Sequence, residues 1–146
     1  MNKAKEMAGN YYRGTYDCGK CNCAEAILKT FNDLLELNLS DDALKMASGF
    51  GGGLGHAGCM CGALSGSVLV LNSLEGRAHG EKPLTDIYPL TAAFHDEFKS
   101  HFGATCCRVL NGNPFGSREQ GKNCLKIIGE TAELLDTFLE KNQLPR

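Results

Sequence analysis

At 146 residues with a 42% hydrophobic composition, the chain has the length for one domain with a real core and lies well above the disordered class. A formal charge of −2 and the lack of any Lys or Arg run argue against a nucleic-acid binder. The longest apolar run, Val68-Leu69-Val70-Leu71, falls far short of the roughly 18 residues a membrane helix needs. The segment Met1-Asn2-Lys3-Ala4-Lys5-Glu6-Met7 carries no apolar signal region, so a cytoplasmic protein is expected, without nucleic-acid or membrane partners.

Lys3 to about Gly14 reads as a weakly patterned helix, broken by Gly14-Thr15-Tyr16-Asp17. Asn22 is placed to cap the next helix, with Glu25 three residues on in a partial capping-box pattern. Cys23, Ile27, Leu28, Phe31, Leu34 and Leu35 then mark one helical face. Ser40-Asp41-Asp42 opens a short third helix through Lys45, its acids suited to a helix N-terminus. Six glycines among the eleven residues from Ser48 to Gly58 make helix or strand unfavourable there. A helix is expected from about Cys61 to Leu74, with Ala63, Ser65, Gly66 and Ser67 forming a small-residue side, followed by a polar loop from Gly76 to Pro83. Leu84 to His101 reads as a helix with Tyr88, Leu90, Thr91, Phe94 and Phe98 inward. Ala104 to Leu110 is a helical turn ended by Asn111-Gly112-Asn113-Pro114. The last helix opens at Cys124 and buries the stripe Cys124, Ile127, Ile128, Thr131, Leu134, Leu135 and Phe138. With no strand-like alternation, repeat or linker, the expectation is an all-α fold, a single compact domain over residues 1–146 with about six helices.

The chemistry lies in the eight cysteines, Cys18, Cys21, Cys23, Cys59, Cys61, Cys106, Cys107 and Cys124. In a cytosolic chain of this size they read as metal ligands or redox thiols rather than a disulfide framework. Cys23, Cys61 and Cys124 are expected in the first turns of three helices, and Cys107 shares a face with Leu110. A helix N-terminus offers unpaired N–H groups and partial positive charge, which lower a thiol's pKa. Several such starts converging would form a pocket for thiolates and hence for iron or zinc. The competing reading makes each a small buried hydrophobe.

The other four sit beside these, in Cys18-Gly19-Lys20-Cys21-Asn22-Cys23, Cys59-Met60-Cys61 and Cys106-Cys107, so all eight are candidate metal ligands. A third sulfur two residues after the Cys-x-x-Cys favours a cluster over a simple dithiol. Asn22 stands where covalent haem attachment would need His. His56 is read as a solvent-exposed loop residue, with an accessory ligand as the alternative. The glycine loop lacks the ending of a P-loop and follows no strand, so nucleotide binding is not expected. Its glycines instead let the main chain pass close to a cluster and point N–H groups at sulfide.

These residues resemble the redox-active family named for its C-GCAxxG-C-C pattern. The resemblance covers nearly the whole chain: Asn22-Cys23-Ala24-Glu25-Ala26, Gly49-Phe50-Gly51-Gly52-Gly53, Cys61-Gly62-Ala63-Leu64-Ser65-Gly66, Phe102-Gly103 before Cys107-Arg108, and Cys124. The family label writes Gly before Cys where this chain has Cys-Gly-Ala, so the motif is anchored on Cys61 rather than Cys59. The resemblance implies an all-helical fold similar to the split-Soret cytochromes, which hold an iron–sulfur cluster and form dimers. It assigns Cys23, Cys61, Cys107 and Cys124 as ligands. Cys18, Cys21, Cys59 and Cys106 are additional, pointing to a larger cluster, two clusters, or one cluster beside a redox dithiol. The leading expectation is an iron–sulfur protein for electron transfer or redox sensing, a homodimer served by a redox partner protein. The rivals are a thiol–disulfide oxidoreductase using Cys18/Cys21 or Cys106/Cys107, and a zinc module. No substrate-specific catalytic set is evident, so no turnover reaction is assigned.

Overall fold

A computed structural model describes residues 2–144, and the fold is all-α, with no strand among those residues. Helix α1 (Lys3–Arg13) starts at Asn2, whose side chain accepts from the Lys5 amide at 3.0 Å. It stops at Gly14, at φ 81°, in the left-handed region that glycine enters at no steric cost. Helix α2 (Cys23–Leu34) has the complete capping box: Asn22 accepts from the Glu25 amide at 2.9 Å, and the Glu25 carboxylate accepts from the Asn22 amide at 2.8 Å. Ser40 caps α3 (Asp41–Leu44), which runs into a 3₁₀ stretch, Lys45–Phe50, and then the turn α4 (Gly51–Leu54). Helices α5 (Gly62–Glu75) and α6 (Ile87–Phe102), the single turn α7 (Cys107–Leu110) and the long α8 (Arg118–Lys141) complete the order. Taken as five long helices and one broken helical stretch from Asp41 to Leu54, this is the expected six-helix layout.

Helix α2 packs on α5, and α1 lies against both α8 and α2. Phe31, Phe94, Phe98 and Phe138 are fully buried, and the buried apolar side chains form one cluster. At roughly 25 cal/mol per Å² of apolar surface removed from water, this cluster is the main stabilising term. Helices α2 and α5 approach closely: a Cβ added at Gly66 would lie 2.7 Å from the Ala24 carbonyl oxygen.

Four expectations need correction. The start of the glycine segment, through Phe50, belongs to the 3₁₀ stretch, whereas from Gly52 to Gly55 the backbone is non-helical as expected, with positive φ at every residue. Tyr88 faces solvent, 66% exposed, because α6 begins at Ile87 and its inward face runs through Ile87, Phe94 and Phe98. Helix α8 begins at Arg118, where Ser117 caps it through the Gln120 amide, so Cys124 is nearly two turns inside. The small-residue side of α5, on which a dimer surface was expected, is buried within the chain, with Ala63 and Ser67 at 0% exposure. No described helix is long and apolar enough to cross a membrane.

Candidate functional site

Four elements deliver four sulfurs to one cavity. Cys23 is the first residue of α2, Cys61 the N-cap of α5, Cys107 the first residue of α7, and Cys124 lies inside α8. All four line a cavity of about 570 Å³, together with Tyr12, Gly52, His56, Asn111, Gln120 and Ile128, among others. Among the described residues, no three His, Cys, Asp or Glu side chains are gathered closely enough to hold a single metal ion. The sulfurs surround space rather than converge on a point.

Glycine makes that space. A Cβ added at Gly62 would lie 2.2 Å from the Cys23 sulfur, and one at Gly53 would lie 3.0 Å from the Cys107 Cβ. Gly52 directs its backbone N–H at the Cys23 sulfur, joined by the amides of Cys23 and Ala24 at the start of α2. The amides of Ala63 and Leu64 serve Cys61 in the same way. Cys124, away from any helix start, has side-chain donors instead: Asn111 Nδ2 donates to its sulfur at 3.3 Å and Gln120 Nε2 at 3.2 Å. The Tyr12 hydroxyl is also hydrogen-bonded to it. These three polar partners were not legible as site residues.

Electrostatically the sulfurs form one group. Burial, opposed by those amides, raises the Cys23 thiol, and the neighbouring Cys124 raises it further. Burial pushes Cys61 up to about 12, with Cys23 and Cys107 adding to the rise. Cys107 is raised by burial first, then by Cys124 and Cys23. The expected lowering by helix N-termini is therefore overturned: the amides act in the expected sense, but desolvation outweighs them. Burial thus favours the neutral form of Cys23, Cys61 and Cys107.

The remaining cysteines divide differently. Cys59 and Cys106, expected as metal ligands, are joined in a disulfide across 47 positions and carry no thiolate in that state. A single bond is not a disulfide framework, but it pairs Cys106 with Cys59 rather than with Cys107 as the oxidoreductase alternative had it. Cys106 is the extended N-cap of α7 while Cys107 is its first helical residue, so the adjacent side chains part, Cys107 toward the cavity. Cys18 and Cys21 do meet: the exposed Cys18 is hydrogen-bonded to the buried Cys21, whose thiol burial pushes up to about 11. Neither is among the residues lining the cavity, although Asn22 and Cys23, which follow Cys21 directly, are. His56 is exposed, as expected, yet stands at the cavity rim, stacked on Phe115 at 4.1 Å between ring centroids.

Residues 21–138 match the family described as "Putative redox-active protein (C_GCAxxG_C_C)". The chain belongs to this family. The four cavity cysteines fall within the matched span, as does the disulfide, while Cys18 lies outside it. An uncharacterized protein of Archaeoglobus fulgidus is 30% identical over 122 residues, covering 77% of this chain and 81% of its own. No solved structure matches the chain.

Proposed function

We propose that this redox protein holds an iron–sulfur cluster on the thiolates of Cys23, Cys61, Cys107 and Cys124, and uses it for electron transfer or redox sensing. The observation that carries this reading is that four cysteines from four separate elements line one cavity of about 570 Å³. Four thiolates are the ordinary ligand set of such clusters. In a tetrahedral zinc site with Zn–S of about 2.3 Å, the sulfurs would lie within roughly 4 Å of one another and enclose no comparable space. The donor pattern supports the same reading. N–H groups from Gly52, Ala63, Leu64, Asn111 and Gln120 face three of the sulfurs and favour them as anions.

When bound, the cluster would supply one-electron chemistry. Leu110, Ile127 and Ile128 give the cavity an apolar part, which limits water around the sulfurs. Gly62 and Gly53 keep side-chain bulk out of it. On this reading the protein is cytoplasmic, works with a redox partner protein, and forms a homodimer as the split-Soret resemblance implies.

Anaerobic purification followed by iron and acid-labile sulfide analysis tests the proposal. Iron and sulfide in comparable amounts, with visible charge-transfer absorption, are expected. Zinc without sulfide, or no metal after reconstitution, would overturn it.

A further inference from the structure

We propose that the Cys59–Cys106 disulfide is a second redox centre, a two-electron site that exchanges with dithiols beside the thiolate cavity. The inference does not depend on what the cavity holds. It rests on where the bond lies and on what already holds its surroundings. The disulfide joins the loop before α5 to the start of α7. Main-chain hydrogen bonds flank it on both sides: the Cys61 amide donates to the Thr105 carbonyl at 2.8 Å, and the Arg108 amide to the Gly58 carbonyl at 2.9 Å. The Cys59 amide is itself anchored on the Gly53 carbonyl at 3.2 Å. The two segments are therefore in register without the S–S bond, which makes it redundant as a staple.

Accessibility and company point the same way. Cys59 and Cys106 are both half-buried rather than sealed in the core. The other six cysteines of the chain are in no disulfide. A lone, reachable disulfide among six cysteines that form none is of the catalytic or sensing kind, not the framework kind. Its neighbours in sequence are two cavity residues, Cys61 two positions after Cys59 and Cys107 directly after Cys106. Gly53 packs under both branches, since a Cβ there would lie 2.6 Å from the Cys59 nitrogen and 3.0 Å from the Cys107 Cβ.

The reductant is a dithiol, either a small molecule or a protein Cys-x-x-Cys. One of its thiolates bonds to one sulfur of the pair. The S–S bond breaks, and the electron pair leaves on the other cysteine, which takes up a proton. The second thiol of the reductant, losing its proton, then attacks the mixed disulfide and expels the first cysteine as a thiolate, which takes up that proton. Two electrons and two protons have then passed to Cys59 and Cys106, and the reductant leaves as a disulfide.

The test uses the full chain, native and anaerobic, treated with dithiothreitol, quenched with an alkylating reagent and read by peptide mass. Cys59 and Cys106 should be unlabelled before treatment, fully labelled after it, and unlabelled again after reoxidation with an excess of a small disulfide. Coulometry of metal-free protein should give two more electrons per chain for the wild type than for Cys59→Ala/Cys106→Ala. Labelling that requires denaturant would make the bond a structural cross-link and overturn the proposal. So would a pair that is labelled from the start and never closes under oxidant. Because both readouts work on metal-free protein, they are unmoved if the iron–sulfur reading fails.

Discussion

Gly62→Ala separates the site from the fold. The added methyl would lie 2.2 Å from the Cys23 sulfur, 3.0 Å from the Phe50 carbonyl oxygen and 3.3 Å from the Ala24 nitrogen. Restoring an ordinary contact of roughly 3.5 Å to the sulfur means moving it, or the start of α5, by about 1.3 Å. Overpacking of this kind costs about 1–3 kcal/mol, and alanine's helix propensity returns up to about 1. Against a total stability of roughly 5–15 kcal/mol the chain stays folded. Metal sites, however, hold ligand distances to about 0.2 Å, so the same displacement is several times what the centre tolerates. The expected outcome is a cooperative helical melt within roughly 8 °C of wild type, with iron affinity reduced about 10–100-fold, the scale set by losses of supporting contacts. The control is Gly129→Ala in α8, whose methyl would meet only the Lys5 side chain, nearest at 3.1 Å. That variant should be neutral or stabilised by up to about 1 kcal/mol, with iron unchanged. Gly62→Ala protein with full iron, full sulfide and an unaltered visible spectrum would refute the reasoning.

Replacing Cys23, Cys61, Cys107 or Cys124 with Ser should strip or deeply deplete the metal in elemental analysis, since a hydroxyl is a poor ligand for a soft site. Cys18→Ser or Cys21→Ser should leave it, because neither side chain lines the cavity; total loss in either would merge the two sets. In metal-free protein, burial raises Cys61 to about 12 and also raises Cys23 and Cys107. An unfolded thiol ionises near about 8.5, so above that value the unfolded chain binds fewer protons and stability falls as pH rises. Melting temperature should be flat with respect to these groups below about pH 8 and decline above about pH 9; a rise would contradict the assignment. Gln120→Leu removes a donor 3.2 Å from the Cys124 sulfur. Since such bonds favour the more negative, reduced centre, redox potentiometry should show a lower potential, and no change would exclude the contact. Sedimentation at micromolar concentration should give a dimer; a strict monomer would remove that part of the proposal.

The sequence was most legible where local chemistry decides structure. Asn22 and Glu25 announced the start of α2, and both arms of the capping box are made. Gly14 ended α1 as expected. Cys23 and Cys61 were expected at helix starts, and they open α2 and cap α5; Cys124 was too, but lies inside α8, and all four of the grouped cysteines line one cavity. What escaped depends on contacts between distant segments. The Cys59–Cys106 bond needs two loops in register, and spacing along one chain carries no record of that. Asn111 looked like part of a turn, yet its amide reaches Cys124 across the cavity. Gln120 is one helical turn before Cys124, a relation visible only once α8 is known to begin at Arg118. The thiol shifts also went the other way from expectation. A helix N-terminus can be read from sequence, but the depth of burial that outweighs it cannot.

The Cys61–Gly62–Ala63–Leu64–Ser65–Gly66 motif is a packing device. Gly62 and Gly66 are one turn apart and lie on the same face of α5. The first makes room for the Cys23 sulfur, and the second lets the helix pass over the Ala24 carbonyl. Ala63 between them is wholly buried. A side chain at either glycine would push α5 away from α2, and Cys61 would move away from Cys23 with it. The spacing of two cavity sulfurs is thus set by how closely two helices can approach, which in turn is set by the absence of a methyl group at two positions. This explains why small residues accompany the cysteines in the motif: a sulfur on a loosely packed helix would have no fixed position.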